Sequence, residues 1–220
     1  MAEQQNELEA ARAEVVRLGR KMAADHLVVG SAGNISARVG EFMVITPTGV
    51  AYDEITAPDV CVINGSGEQV SGNGRPSSEY PMHRLIYDTF PAGAVVHTHS
   101  TAAVAVSTVC QELPAVHYSI LRLGGPTVRV ASYQTFGSDD LARNAREALR
   151  DRTAALLQNH GVIAFGPDLG HAYERAEITE WLCDVFIRAS SLGAPRILDA
   201  GELAAVAEAA RLRRYTGAAR

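Results

Sequence analysis

Two apolar runs that both stop at histidine constrain this chain most. The first is Ala94-Val95-Val96-His97-Thr98-His99 and the second is Ala154-Ala155-Leu156-Leu157-Gln158-Asn159-His160, with Gly161 behind it. Short apolar runs of this length read as buried strands. Side chains alternate along a strand, so His97 and His99 point to one face. Two imidazoles on one face form half of a metal site, and His160 offers a third. Three histidines with a coordination position left open describe a catalytic rather than a structural zinc site. The competing reading is chance, since the chain carries seven histidines.

The remaining chain supplies strands, helices and three small polar loops. Leu8, Ala11, Val15, Leu18 and Met22 recur at helical spacing and predict a helix from about Asn6 to Asp25. Gly30-Ser31-Ala32-Gly33-Asn34-Ile35-Ser36 is a glycine turn opening a strand. Phe42–Ile45 predicts a strand ending in the loop Thr46-Pro47-Thr48-Gly49, whose hydroxyls and free amides suit an oxyanion. Val60–Ile63, the turn Asn64-Gly65-Ser66-Gly67 and Glu68–Val70 predict a hairpin. Ser77-Ser78-Glu79-Tyr80-Pro81 reads as a helix start, with serine as N-cap and Glu79 in the first turn. Its free amides make an anion site, and Glu79 alone could simply offset the helix dipole. His83 reads as a surface or packing residue.

Ala102–Val109 predicts a buried helix, Thr127–Ala131 a strand and Asp139–Arg150 a helix. Residues 153–159 and 161–165 predict two strands joined at His160-Gly161. A long helix from Leu169 to Ser191 would bury Ala172, Ala176, Trp181, Leu182, Val185, Phe186 and Ala189. A last helix begins near Gly201-Glu202. No repeat or linker breaks the pattern, so residues 1–220 are expected to form one domain.

Composition excludes several classes. A net charge of −5 without a basic tract argues against nucleic acid as the main partner. No apolar run has the length of a membrane span. The polar, acidic stretch Met1–Glu7 lacks signal-peptide character, and the three scattered cysteines lack CxxC spacing. A cytoplasmic protein with reduced, buried thiols is expected.

A metal, a nearby glutamate and loops fit for phosphate suggest proton abstraction beside a metal-bound carbonyl. At this point the chain resembles the zinc-dependent class II aldolase and adducin superfamily. The segments that carry the resemblance are Gly33-Asn34-Ile35-Ser36, Thr46-Pro47-Thr48-Gly49, Pro76-Ser77-Ser78-Glu79, His97-Thr98-His99 and Asn159-His160-Gly161. Pro114–Tyr118 and Tyr133–Gly137 also match.

The resemblance implies a three-layer α/β/α domain with a central, mainly antiparallel sheet. It implies zinc on His97, His99 and His160. Glu79 would be the acid/base, and would touch the metal when substrate is absent. Asn34, Thr48, Gly49, Ser77 and Ser78 would hold a phosphate. It puts Phe136 beside an aldehyde pocket, gives Tyr118 to the active site of a neighbouring subunit in a homotetramer, and matches Tyr215 to a tyrosine of the C-terminal tail. The implied reaction cleaves a ketose 1-phosphate, L-fuculose 1-phosphate or similar, to dihydroxyacetone phosphate and a small aldehyde such as lactaldehyde. An L-ribulose-5-phosphate 4-epimerase is a rival, although resembling epimerases tend to carry Asp where this chain has Glu79. Other sugar-phosphate lyases are further rivals. A metal-free adducin-like assembly module is disfavoured, because all three histidines and Glu79 are kept.

Overall fold

The computed structural model describes residues 2–213. In chain order the elements are α1 (Ala2–Ala24), β1 (Asn34–Val39), β2 (Phe42–Ile45), β3 (Cys61–Ile63), β4 (Gln69–Ser71) and α2 (Tyr80–Thr89). They continue with β5 (Ala94–Thr98), α3 (Thr101–Val109), β6 (Glu112–Leu113), a 3-10 turn at Tyr118–Leu123, β7 (Val128–Ala131) and α4 (Asp139–Ala148). The last are β8 (Ala154–Leu157), β9 (Gly161–Gly166), α5 (Leu169–Leu192) and α6 (Ala200–Leu212).

One sheet runs in the order β4-β3-β2-β1-β5-β9-β8-β7-β6. Every pairing is antiparallel except that of β7 with β8. Both faces are covered, which explains why the central strands read as continuous apolar runs. Alternate residues of each strand enter two separate cores. Ala94 and Val96 of β5, Ile35 of β1 and Val162 of β9 pack with α1, α3 and α5. Val95, Ile163, Phe165 and Leu157 pack on the other face with Met82, Ile86 and Tyr87 of α2 and Leu141, Ala142 and Ala145 of α4. The result is the α/β/α sandwich expected from the resemblance. Among the described residues no helix is long and apolar enough to cross a membrane.

Several local expectations are corrected. Helix α2 starts at Tyr80, with Glu79 in the cap position and no capping bond from the Glu79 side chain. Ser77 caps Glu79 instead, its Oγ accepting from the Glu79 N–H at 3.2 Å. Trp181 lies nearly half exposed. At about 100° per residue the nine steps from Ala172 place it on the opposite side of α5. Helix α3 buries only one side: Ala102, Ala103 and Val106 are inside, while Val109 is exposed. The Glu180 carboxylate accepts from the Ala102 and Ala103 N–H groups at 2.8 Å each and so caps α3. Cys61 and Cys183 are buried as expected, but Cys110 is only partly so. Tyr215 lies outside the described residues.

Candidate active site

Alternation along the central strands decides which side chains meet. Because Val95 faces α2 and α4, His97 and His99 face them too. His97 pairs in register with Asn34 of β1 on one side and with Ile163 of β9 on the other. His99 follows the end of β5, where its N–H donates to the Leu27 carbonyl at 3.0 Å. The second histidine run turns back sooner than expected. Strand β8 ends at Leu157, and Gln158, Asn159 and His160 form the turn, with Asn159 in the left-handed region at φ 56°. Gly161 is required here, since a Cβ would come within 1.9 Å of the Thr98 carbonyl oxygen. Gly33 has φ 76°, and a Cβ there would press on the His97 carbonyl oxygen at 2.7 Å.

These constraints bring three imidazoles around one point. Ring centroids of His97, His99 and His160 lie 4.7–4.8 Å apart, the rings at 66–86° to one another. The Nε2 atoms of His97 and His99 are 3.0 Å apart. Glu79 closes the group: its Oε2 lies 3.1 Å from His97 Nε2 and its Oε1 3.4 Å from His160 Nε2. One potential donor atom from each of the four residues falls within 4.8 Å of the others.

Charge is tightly constrained in this group. Burial, together with the neighbouring His97 and His160, pushes His99 down to about 3. Burial and His97 push His160 down to about 4. Both rings therefore keep bare nitrogens near neutral pH. Burial alone would raise Glu79, but the charge and hydrogen bond of His97, the charge of His160 and the Asn34 hydrogen bond outweigh it and hold the carboxyl well below its usual range. Burial also opposes charge on His97, yet Glu79 wins and raises it. Glu79 Oε1 has no hydrogen-bond partner among the described residues. An ionised carboxylate with an orphaned oxygen beside three imidazoles is the donor set a divalent cation of borderline softness takes. The residues fit a metal.

Above the cluster opens a cavity of about 260 Å³. Asn34, Thr48, Ser77, Ser78, Glu79, Phe136, His99 and His160 line it, as do Ser31, Gly33, Pro47, Tyr133, Gln134 and Asn159. The two hydroxyl-bearing loops are fastened together. Thr48 N–H donates to the Arg75 carbonyl at 2.8 Å, Ser77 N–H donates to the Thr46 carbonyl at 3.2 Å, and Pro47 bridges Pro76. The Thr48 amide is thus engaged, and this rim offers an anion hydroxyls more than the free amides expected from sequence. Among the described residues no Lys or Arg lines the cavity.

Among the other expected residues, His97 is buried behind the lining and Gly49, at φ 74°, lies outside it. Tyr118 does not line this chain's cavity. It is half exposed and lies against His117, ring centroids 4.1 Å apart and tilted by 31°, and His117 in turn meets Trp181 edge-on at 4.8 Å.

Residues 13–187 match the family model described as "Class II Aldolase and Adducin N-terminal domain". The chain belongs to the class II aldolase and adducin family. A 5-deoxy-D-ribulose 1-phosphate aldolase of Bacillus thuringiensis serovar kurstaki is 39% identical over 89% of this chain and 93% of the relative. An L-fuculose phosphate aldolase of Escherichia coli strain K12 is 38% identical over 89% of this chain and 88% of the relative. A solved L-fuculose 1-phosphate aldolase superposes with a TM-score of 0.86 at 35% identity, covering 92% of this chain and 96% of that one. The chain is thus an enzyme of the class II aldolase type, a lyase.

Class II aldolase membership does not account for every polar group near the site. His83, expected at the surface or in packing, is fully buried and bonds Ser36 and Asn34. One signal was available, because His83 follows Glu79 by four residues and so shares its helix face. Tyr133, Gln134 and Asn159 come to the cavity through a long-range tie, the Tyr133 N–H donating to Gln158 Oε1 at 3.0 Å. Nothing local in the sequence signals that tie.

Proposed function

We propose that this protein is a zinc-dependent aldolase that cleaves a ketose 1-phosphate to dihydroxyacetone phosphate and a small aldehyde. The observation that carries the reading is the convergence of Glu79 on three histidines at the floor of a cavity rimmed by Thr48, Ser77 and Ser78. His97, His99 and His160 would hold the zinc, with Glu79 as a further ligand when substrate is absent. Bound there, zinc supplies a Lewis acid for the substrate's ketone and adjacent hydroxyl.

The chain's own residues do the rest. Asn34 and the hydroxyls of Thr48, Ser77 and Ser78 seat the phosphate at the start of α2, where the helix dipole favours an anion, and Gly49 turns the loop that presents Thr48. Glu79 Oε1 moves the proton on the carbon that carries the breaking bond. In the cleavage direction the hydroxyl that becomes the aldehyde passes its proton through Tyr118 to solvent, the bond breaks with its electron pair staying on the dihydroxyacetone phosphate half, and Glu79, protonated from solvent for this step, delivers a proton to that carbon. Phe136 and Tyr133, both largely exposed at the cavity, flank the aldehyde half. Tyr118 of a neighbouring subunit services the aldehyde oxygen, and Tyr215 would act with it as the resemblance to a C-terminal family tyrosine implies. The reading takes the chain as one domain, working as a homotetramer in the cytoplasm.

A second substrate is favoured by a specific observation. The relative at 39% identity is named for 5-deoxy-D-ribulose 1-phosphate, whose cleavage would release acetaldehyde where fuculose 1-phosphate releases lactaldehyde. Both share the dihydroxyacetone phosphate half. A panel of ketose 1-phosphates and a ketose 5-phosphate, with detection of dihydroxyacetone phosphate and the aldehyde, tests the proposal. Release of dihydroxyacetone phosphate from the 1-phosphates is expected. Epimerisation of the 5-phosphate without net cleavage would replace the aldolase reading with the epimerase.

A further inference from the structure

A closed chain of side chains runs away from Glu79 into the core between the sheet and α2. Asn34 Nδ2 donates to Glu79 Oε2 at 3.0 Å. Asn34 Oδ1 meets His83 Nε2 at 2.5 Å, His83 Nδ1 meets Ser36 Oγ at 2.7 Å, and Ser36 Oγ meets the Tyr87 hydroxyl at 2.7 Å. All five residues are at most 5% exposed.

Elementary donor and acceptor rules give this chain one direction. A carboxylate only accepts, so the nitrogen side of the Asn34 amide faces Glu79 and its oxygen faces His83. That oxygen only accepts, so His83 Nε2 carries the proton. His83 is neutral, because burial and the nearby His97 push it down to about 3. Its Nδ1 is therefore bare and accepts from the Ser36 hydroxyl, which accepts in turn from Tyr87. A reversed amide would set its oxygen against the Glu79 carboxylate, acceptor against acceptor, inside the core. Glu79 Oε2 is thus held by Asn34, while Oε1, 3.4 Å from His160 Nε2, has no hydrogen-bond partner among the described residues.

We propose that His83 is a positioning residue for the reaction. Through the Tyr87–Ser36–His83–Asn34 chain it locks the Asn34 amide with nitrogen toward Glu79, and so selects Oε1 as the oxygen that moves the substrate proton. This rests on reading Glu79 as the proton-moving group. It also leaves the second Asn34 N–H for the substrate's phosphate half.

The test uses the zinc-loaded full chain and solvent-deuterium exchange into dihydroxyacetone phosphate, with zinc content measured for each variant. His83→Asn keeps an acceptor toward Ser36 but falls short of Asn34. It should keep zinc and lose exchange rate roughly 10–100-fold, the usual cost of losing an outer hydrogen-bond partner. His83→Gln reaches Asn34 with an amide donor and should recover most of the rate. A merely structural role would give no such rescue pattern. Nitrogen-15 NMR of the metal-free wild-type chain, which depends on no variant folding, should show His83 protonated on Nε2 alone. Protonation on Nδ1, or a wild-type rate in His83→Asn, would overturn the proposal. Glu79→Gln is measured alongside. If it exchanges like wild type, the reading of the site fails and takes the proposal with it. If it is inactive while His83→Asn is fully active, only the positioning role falls.

Discussion

His97 is gripped from both sides of one ring: Nδ1 donates to the Val162 carbonyl at 2.7 Å, and Nε2 lies 3.1 Å from Glu79 Oε2. The carbonyl fixes the ring's rotation and directs Nε2 at the carboxylate and at the other two histidines. A backbone partner on the far nitrogen is the usual support for a metal-binding imidazole.

The first prediction concerns metal. The purified chain should carry one zinc per subunit, and EDTA should abolish turnover. His160→Ala removes the ligand contributed by the β8–β9 turn and should weaken zinc binding by at least about 100-fold, more than an outer-partner loss causes. Metal analysis after dialysis reads this directly. Full zinc retention in His160→Ala would place the third ligand elsewhere.

Glu79 separates two physical roles. As a general acid–base group it should be worth about 10²–10⁴-fold in proton exchange on dihydroxyacetone phosphate. As a mere dipole partner of α2 it would be worth about 0.3–1 kcal/mol of stability. Its carboxylate turns toward His97 and His160 and makes no capping bond, which favours the first role. Glu79→Gln should therefore fold and keep most of its zinc but lose exchange. An active, slightly less stable mutant would return Glu79 to the dipole role.

The sequence carried the site's floor but not its support. The apolar run ending in His97 and His99 announces a strand with both imidazoles on one face, because strand alternation is a local rule, whereas His160 reaches them from a turn. The small polar loops were likewise visible through their glycines, prolines and hydroxyls. Trp181 leaves the buried face of α5 although it is apolar, because its helical angle from Ala172 is about 180°. The Ser36–His83–Tyr87 chain was invisible for a different reason. Its members sit on β1 and α2, and only the packing of α2 on that face of the sheet sets them opposite one another.

Burial of His83 gives stability a pH dependence. Its folded value, about 3, lies below the ordinary histidine value of about 6.5. Between these limits the unfolded chain binds a proton that the folded chain refuses. Stability should thus fall as pH drops from about 6.5 toward 3, and this contribution should level off once folded His83 also protonates. One proton contributes at most about 1.4 kcal/mol per pH unit. Denaturant titrations of wild type and His83→Gln from pH 7 to 4 isolate the effect. The stability gap between them should shift in favour of His83→Gln as pH falls. A gap independent of pH would mean that His83 titrates alike in both states.

The last prediction is that each active site is shared between subunits. Tyr118 is half exposed, begins a 3-10 turn and lies outside this chain's own cavity. A surface tyrosine held on His117, which itself rests against Trp181, is well supported but has no core function. Val109 and Trp181 add exposed apolar area on α3 and α5, surface that a neighbouring subunit would cover. If Tyr118 completes the neighbour's site, taking the proton of the hydroxyl that becomes the aldehyde and returning it in condensation, Tyr118→Phe should keep zinc and fold but lose roughly 10²–10⁴-fold in C–C cleavage. It should lose far less in proton exchange, which needs only Glu79. Mixing Tyr118→Phe with Glu79→Gln should then regenerate cleavage, because some sites in the mixed oligomer pair an intact Glu79 with an intact Tyr118 of the partner subunit. Light scattering first establishes the oligomer, and labelled subunits establish exchange. If both parents are inactive, subunits exchange freely and the mixture stays inactive, Tyr118 does not act across an interface.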